Sequence, residues 1–348
     1  MNTRCVSIEA MRFIFMSMIC IWHYQGASGV FGHGYLGVEF FFILSGVLLY
    51  RSASKESALE PLNYTLKKIR KFFPKYFIAI GLAFLVFDLL PMICNKRQIE
   101  ILELTGWLSF VPECLMMQDI GIFANWKGYN YPLWYLSVLV YGGGWIYALI
   151  YFYRRLSINI VLPLIVVLGY TFLFNLDLEN KIEHWEVATF VKIEMLRGVC
   201  DMSLGVLVGY LHERKSEYFI KNKTYVDVFS LLSFIIALIL CVLTFDLDSY
   251  NLIFFSVVIV GCLQPKSLFN RLFRSPLWVY LGKLTFDMLL LHAPLIYVFH
   301  SFVARLPKHN EMVEVTGYIV VLIVGSCIFE YCFDTYAQRS ASQKKISH

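Results

Sequence analysis

About ten times along its length this chain runs apolar for long enough to cross a bilayer, and that recurrence limits its fold more than any other feature. A spanning helix needs ~20 mainly apolar residues. Such runs read as 6–26, 35–51, 72–92, 131–153, 157–176, 194–212, 225–245, 249–264, 277–303 and 314–336. Composition points the same way: 58% of the 348 residues are apolar and 16% are charged, against ~45–50% and ~25% in soluble domains. The expectation is an all-α, polytopic integral membrane protein. It would have one transmembrane domain over 1–340 and a short polar cytoplasmic tail over 341–348. A further stretch, Leu104 to Phe123, is broken by Pro112, Glu113 and Asp119 and reads as a re-entrant or interfacial segment.

Charge sets the orientation. With a cytoplasmic N-terminus, twenty of the 30 Lys and Arg fall on the cytoplasmic side and seven on the other, leaving Arg12, Arg197 and Lys283 within spans. That bias places both termini in the cytoplasm of a multi-pass protein of the cell (inner) membrane. The net charge of +5 is spread over alternate loops and gives no nucleic-acid-binding face. The nine cysteines show no C-x-x-C pair and no metal-ligand spacing, and read as buried, apolar thiols. A cleaved signal peptide competes for the first run. Arg12 would interrupt its apolar core and Trp22-His23-Tyr24 would crowd the cleavage region, so the first helix is expected to remain.

Within this frame a few polar residues stand out. Arg12 and His23 are eleven residues apart in the first helix, so they share one face and lie ~16 Å apart along its axis. A cation inside a span costs at least ~2.5–3.5 kcal/mol and therefore faces protein or water. Glu39 begins the second helix, a short hairpin away from His23. A histidine with a carboxylate partner has the form of a general base with a fixed tautomer. Arg197 and Asp201 share a face of the sixth helix. In the ninth, His292 has Asp287 below it and Pro294 just above. The basic run Lys67-Lys68-Ile69-Arg70-Lys71 precedes the third helix and suits phosphates. Each also has a plainer reading: a rim histidine bound to water, a snorkelling arginine, a protonated packing glutamate, a structural ion pair, a histidine capping the carbonyl that Pro294 frees, and positive-inside charge.

Taken together, these residues resemble the membrane acyltransferase family 3, the O-antigen and exopolysaccharide O-acetyltransferase-like proteins, over nearly the whole chain. Arg12 and His23 match its Arg-x10-His pattern. Gly37-Val38-Glu39-Phe40-Phe41-Phe42-Ile43-Leu44-Ser45-Gly46 is similar to its G-V-[DE]-x-F-F-x-x-S-G signature. Lys67 to Lys71, followed by Pro74, resembles its basic motif before helix three. Leu133-Trp134-Tyr135-Leu136-Ser137 resembles its tryptophan motif. Leu281-Gly282-Lys283-Leu284-Thr285-Phe286, running on to His292, resembles its late block. The chain departs from the pattern at Val138, Leu139 and Val140, where many members carry a glutamate, and at Thr285-Phe286 and Leu289, where Ser-Tyr and Tyr are usual.

The resemblance implies an O-acyltransferase that uses acetyl-CoA, or another short acyl-CoA, as a co-substrate. Its acceptor would be a sugar hydroxyl of a surface polysaccharide or lipid-linked glycan precursor. On that basis His23 is the expected base and Glu39 its orienting partner. Arg12, Lys67, Lys68, Arg70 and Lys71 are expected to bind the donor. Arg197, His292, Trp134 and Ser45 are candidates for acceptor binding or oxyanion stabilisation. The rival readings are a proton-coupled transporter or flippase for a glycan precursor, and a non-catalytic structural or sensing subunit.

Overall fold

The computed structural model describes residues 5–89, 111–120, 128, 130–176, 192–243, 248–303 and 310–346. Among them every regular element is helical. In chain order they are α1 (Val6–Gln25), α2 (Gly37–Ala53), α3 (Pro61–Phe84), α4 (Trp134–Ser137), α5 (Gly143–Leu156), α6 (Leu162–Leu176), α7 (Ile193–Arg214), α8 (Ser216–Lys221), α9 (Lys223–Val242), α10 (Asn251–Leu263), α11 (Leu268–Leu272), α12 (Leu277–Val303) and α13 (Glu311–Ile346).

Among the described residues six stretches are long and apolar enough to cross a membrane: Val6–Gln25, Gly34–Ala53, Tyr131–Asn175, Lys223–Val242, Leu277–Val303 and Glu311–Tyr336. The chain is a multi-pass membrane protein. The longest of these, Tyr131–Asn175, leaves helical conformation at Tyr153 (φ −133°, ψ 45°), where the sequence separates two apolar runs at Arg154-Arg155. Three expected spans fall short of that apolar length for plain reasons. Helix α3 carries the basic run, α7 carries Glu194, Arg197 and Asp201, and α10 has only 13 residues. On α9 the side chains of Val228, Phe229, Leu232, Ile235 and Ile239 face outward, an apolar surface suited to lipid. The polar stretch expected as a separate tail continues α13 as helix through Ile346.

Two close helix crossings position the polar residues. In the first, α2 and α7 meet at Gly46 and Gly205. A Cβ on Gly46 would stand 2.0 Å from the Met202 carbonyl oxygen, and one on Gly205 would stand 2.0 Å from that of Ile43. No other residue type permits that approach, which is how small residues let membrane helices associate. In the second, α1 meets α12 at Gly282, where a Cβ would lie 2.8 Å from the Glu9 Cα.

Residues 111–120 are the described part of Leu104 to Phe123, and they insert among the helices. Glu113 is fully buried. Its carbonyl accepts a hydrogen bond from the Tyr76 hydroxyl of α3, and its carboxylate accepts one from the Asn130 amide at 3.1 Å. The Gln118 amide group donates to the Leu133 carbonyl at 2.9 Å.

Candidate functional site

The eleven-residue spacing of Arg12 and His23 places both on the side of α1 that faces α12, and each finds a partner there. The Arg12 guanidinium donates to Glu9 Oε2 at 2.7 Å and to the Thr285 hydroxyl at 2.8 Å. Thr285 in turn donates to the Gly282 carbonyl at 2.9 Å. The late block therefore has a mechanical meaning. Gly282 lets the helices touch, and the hydroxyl one turn later aims the guanidinium.

The second rung of this ladder is a pair of imidazoles. The rings of His23 and His292 lie 4.9 Å apart, and Tyr131 packs on His23 with ring centroids 5.4 Å apart. His23 Nδ1 is 3.0 Å from the Ile19 carbonyl. His292 Nδ1 is 3.0 Å from the Met288 carbonyl and 2.9 Å from that of Leu289. A carbonyl only accepts, so Nδ1 carries the proton in both rings and the lone pair sits on Nε2. His292 is fully buried, and its Nε2 has no hydrogen-bond partner among the described residues.

Pro294 removes the amide that would have bonded the Leu290 carbonyl. That carbonyl is capped by Asn130 Nδ2 at 2.8 Å and not by His292, whose ring points its lone pair elsewhere. A cavity of about 430 Å3 is lined by Phe87, Tyr131, Ala293, Ile296, Tyr297, His300 and Ser301; it includes Tyr131, which packs on His23, but neither imidazole.

Glu39 lies in the first turn of α2, and Arg197 on α7 donates to it through Nε at 2.6 Å, with Nη2 also in contact. Both are completely buried, beside the ring of Tyr35. One turn along α7, Asp201 accepts the Tyr170 hydroxyl of α6. Glu39 was expected to orient His23. Its described partner is Arg197, and the His23 ring is held at Nδ1 by its own helix.

The family model described as an acyltransferase domain matches residues 6–331. The chain belongs to that family, acyltransferase family 3. No curated protein and no solved structure matches it, so the membership rests on this match and on the motifs it spans.

The remaining motifs of this acyltransferase fall into place around α2. Ser45 donates to the Phe41 carbonyl at 2.7 Å, and Trp134 packs against Phe42 at 5.9 Å between ring centroids. Tyr135, which sequence reasoning passed over, packs on Phe42 at 4.6 Å, with its hydroxyl beside Ser45 and within electrostatic reach of Arg12. In the basic run Lys67, Arg70 and Lys71 are exposed, whereas Lys68 turns inward. Its amine stands 5.0 Å from the centre of Tyr64, which stacks on Tyr147 at 3.8 Å.

Behind the ladder, Lys75 of α3 donates to Asp287 at 2.7 Å and to Glu330 of α13, which Lys283 also reaches. This ion cluster holds the back of α12 while Thr285 and His292 face α1. Of this set the sequence singles out Asp287 and places Lys283 within a span. The signals that could have found the others, a lysine one turn past the basic run and a glutamate inside the last apolar run, name no partner by themselves.

Proposed function

We propose that this acyltransferase moves a short acyl group, acetyl first among them, from acyl-CoA to a sugar hydroxyl of a surface glycan or its lipid-linked precursor. The observation that carries the reading is the His23 imidazole. Its Nδ1 proton is committed to the Ile19 carbonyl, so Nε2 is the basic atom, and it lies at the end of α1 that adjoins the cavity. An imidazole held in this way can accept a proton at Nε2 and serve as a general base.

In the reaction the acceptor hydroxyl attacks the thioester carbonyl while its proton passes to His23 Nε2. The tetrahedral intermediate collapses by breaking the C–S bond, and the departing CoA thiolate takes up a proton. Arg12 has two of its five N–H groups engaged by Glu9 and Thr285, leaving others for the donor. The exposed Lys67, Arg70 and Lys71, with Lys68 turned into the bundle, suit the phosphates of CoA. His292 cannot serve as an oxyanion donor in this tautomer, because its one N–H is used on the backbone. Arg197 is spent on Glu39, which makes both residues a positioning pair that fixes α2 against α7.

The charge bias of the sequence favours a donor site on the cytoplasmic side and His23 toward the opposite face, so the acyl group would be delivered across the inner membrane. Purified full-length protein given labelled acetyl-CoA and a glycan acceptor should form labelled ester, and His23→Ala should lower the rate ~10²–10⁴-fold. A His23→Ala variant at wild-type rate removes the base. Glycan flux with no acyl-CoA consumed replaces the reading with transport.

A further inference from the structure

The proposed base and donor groups leave the cavity of about 430 Å3 without a role. Its size falls within the ~300–1,000 Å3 range of small-molecule sites. Most of its wall is apolar: Phe87, just past the end of α3, with Ala293, Ile296 and the ring of Tyr297 on α12. The polar walls, His300 and Ser301, come one turn further along α12. Between Ala293 and Ser301 the helix rises ~12 Å. The cavity is therefore graded, apolar over most of its length and polar where α12 nears its end.

Contacts place both its mouth and its polar end. Tyr131 and Tyr297 line it and are exposed, and Val298 and Phe302 beside them on α12 also turn outward. That helix is long and apolar enough to cross a membrane, so an apolar opening on this flank faces lipid. At the polar end the His300 ring stacks on Tyr24 of α1, with centroids 4.4 Å apart and planes at 3°. Tyr131 packs on His23 at 5.4 Å. Two walls thus touch α1 at consecutive residues, one of them the proposed base.

This grading selects an amphiphile. A bare sugar would turn its hydroxyls against Phe87, Ala293 and Ile296, which offer them no partner. An apolar chain is matched by those walls and gains from leaving water. The chain is not the donor's, because Arg12, which the proposed reaction gives to acyl-CoA, stands ~16 Å from His23 along α1. The molecule that must bring a hydroxyl to His23 is the acceptor.

We infer that this cavity holds the apolar chain of a lipid-linked acceptor. The chain enters between Tyr131 and Tyr297, its head group sits at His300 and Ser301, and the sugar lies beyond them at the level of His23. The enzyme then acylates a membrane-anchored glycan precursor, before that glycan is built into the finished surface polymer. This rests on the proposed reaction, in which His23 is the base.

The test uses the purified full-length chain in detergent, labelled acetyl-CoA, and two acceptors prepared from cells that lack the protein. One is the lipid-linked precursor, and the other is the same glycan released from its lipid by mild acid. For the wild type, kcat/KM on the lipid-linked form should be ~10-fold or more higher, because the chain supplies binding remote from the reacting hydroxyl. Ile296→Trp fills the cavity and should raise KM for the lipid-linked form ~10-fold. The KM for acyl-CoA and the rate on the released glycan should not change. Size-exclusion profiles show whether the variant is folded, and Tyr297→Ala, at the exposed mouth, takes its place if it is not.

Equal kcat/KM on the two acceptors overturns the inference. A folded cavity variant that leaves the lipid-linked KM unchanged also overturns it, as does one that weakens both acceptors alike, since the cavity would then hold bulk lipid or serve the fold. Wild-type rate in His23→Ala, or no label on either acceptor, refutes the proposed reaction instead.

Discussion

Two of the buried polar clusters among the described residues make an instructive contrast. In the first, Arg197 and Glu39 meet in a charged, fully buried contact about two turns from the point where α2 and α7 cross too closely to admit even a methyl group. In the second, the His23 and His292 rings lie 4.9 Å apart, each held through Nδ1 by its own helix, and Tyr131 on His23 forms part of a cavity wall. The charged cluster is the more conspicuous of the two, and its opposite charges meet each other directly. On the proposed reading, the chemistry belongs to the uncharged cluster. Burial and charge identify where a membrane helix must find a partner, whereas open space identifies where a substrate can.

That contrast can be broken by separating stability from rate. The largest change expected is in Glu39→Ala, which strands the Arg197 charge and should destabilise the protein by ~3–5 kcal/mol. Thermal unfolding in detergent would register it. The double variant Glu39→Ala/Arg197→Ala should recover most of the loss, and no recovery would show that the pair does more than hold helices together. For His23→Ala the expectation is reversed: the rate falls as stated above while the unfolding temperature stays close to wild type. A large loss of stability there would place His23 in the structural class.

Smaller effects sharpen the same division. Asn130→Ala uncaps the Leu290 carbonyl beside Pro294, an unsatisfied buried group costing ~1–3 kcal/mol. Because α12 carries His292, acceptor KM should rise alongside the modest destabilisation. An unchanged KM would mean that the cap serves the fold alone. Least of all, Thr285→Val deletes one hydrogen bond to Arg12, ~0.5–1.5 kcal/mol, and should raise the KM for acyl-CoA but not for the acceptor. An equal rise for both substrates would detach Arg12 from the donor.

The sequence disclosed those features that depend on short-range periodicity. Apolar runs located the helices, and the eleven-residue interval put Arg12 and His23 on one face because the helical repeat returns there. The partners across helices were a different matter. Glu39 was matched to His23 because the hairpin brings them near in sequence, yet Arg197, more than 150 residues away, takes its carboxylate. His292 was noticed for its proximity to Pro294, but the freed carbonyl goes to Asn130, and the histidine goes to His23. Nothing in a single chain specifies which of two suitable polar groups will arrive at a given depth, since that follows from the crossing of helices distant in sequence. Tyr131 and Tyr135 were hidden for a simpler reason: an aromatic residue at the head of an apolar run looks the same whether it lines a cavity or fills a core.

The meeting of Gly46 with Gly205 has a mechanical corollary. With each glycine resting against the opposite backbone, α2 and α7 are pinned like the blades of scissors, able to swivel about the contact but unable to slide along each other. Any rearrangement that opens one end of the protein to a donor and the other to an acceptor would then turn about this point.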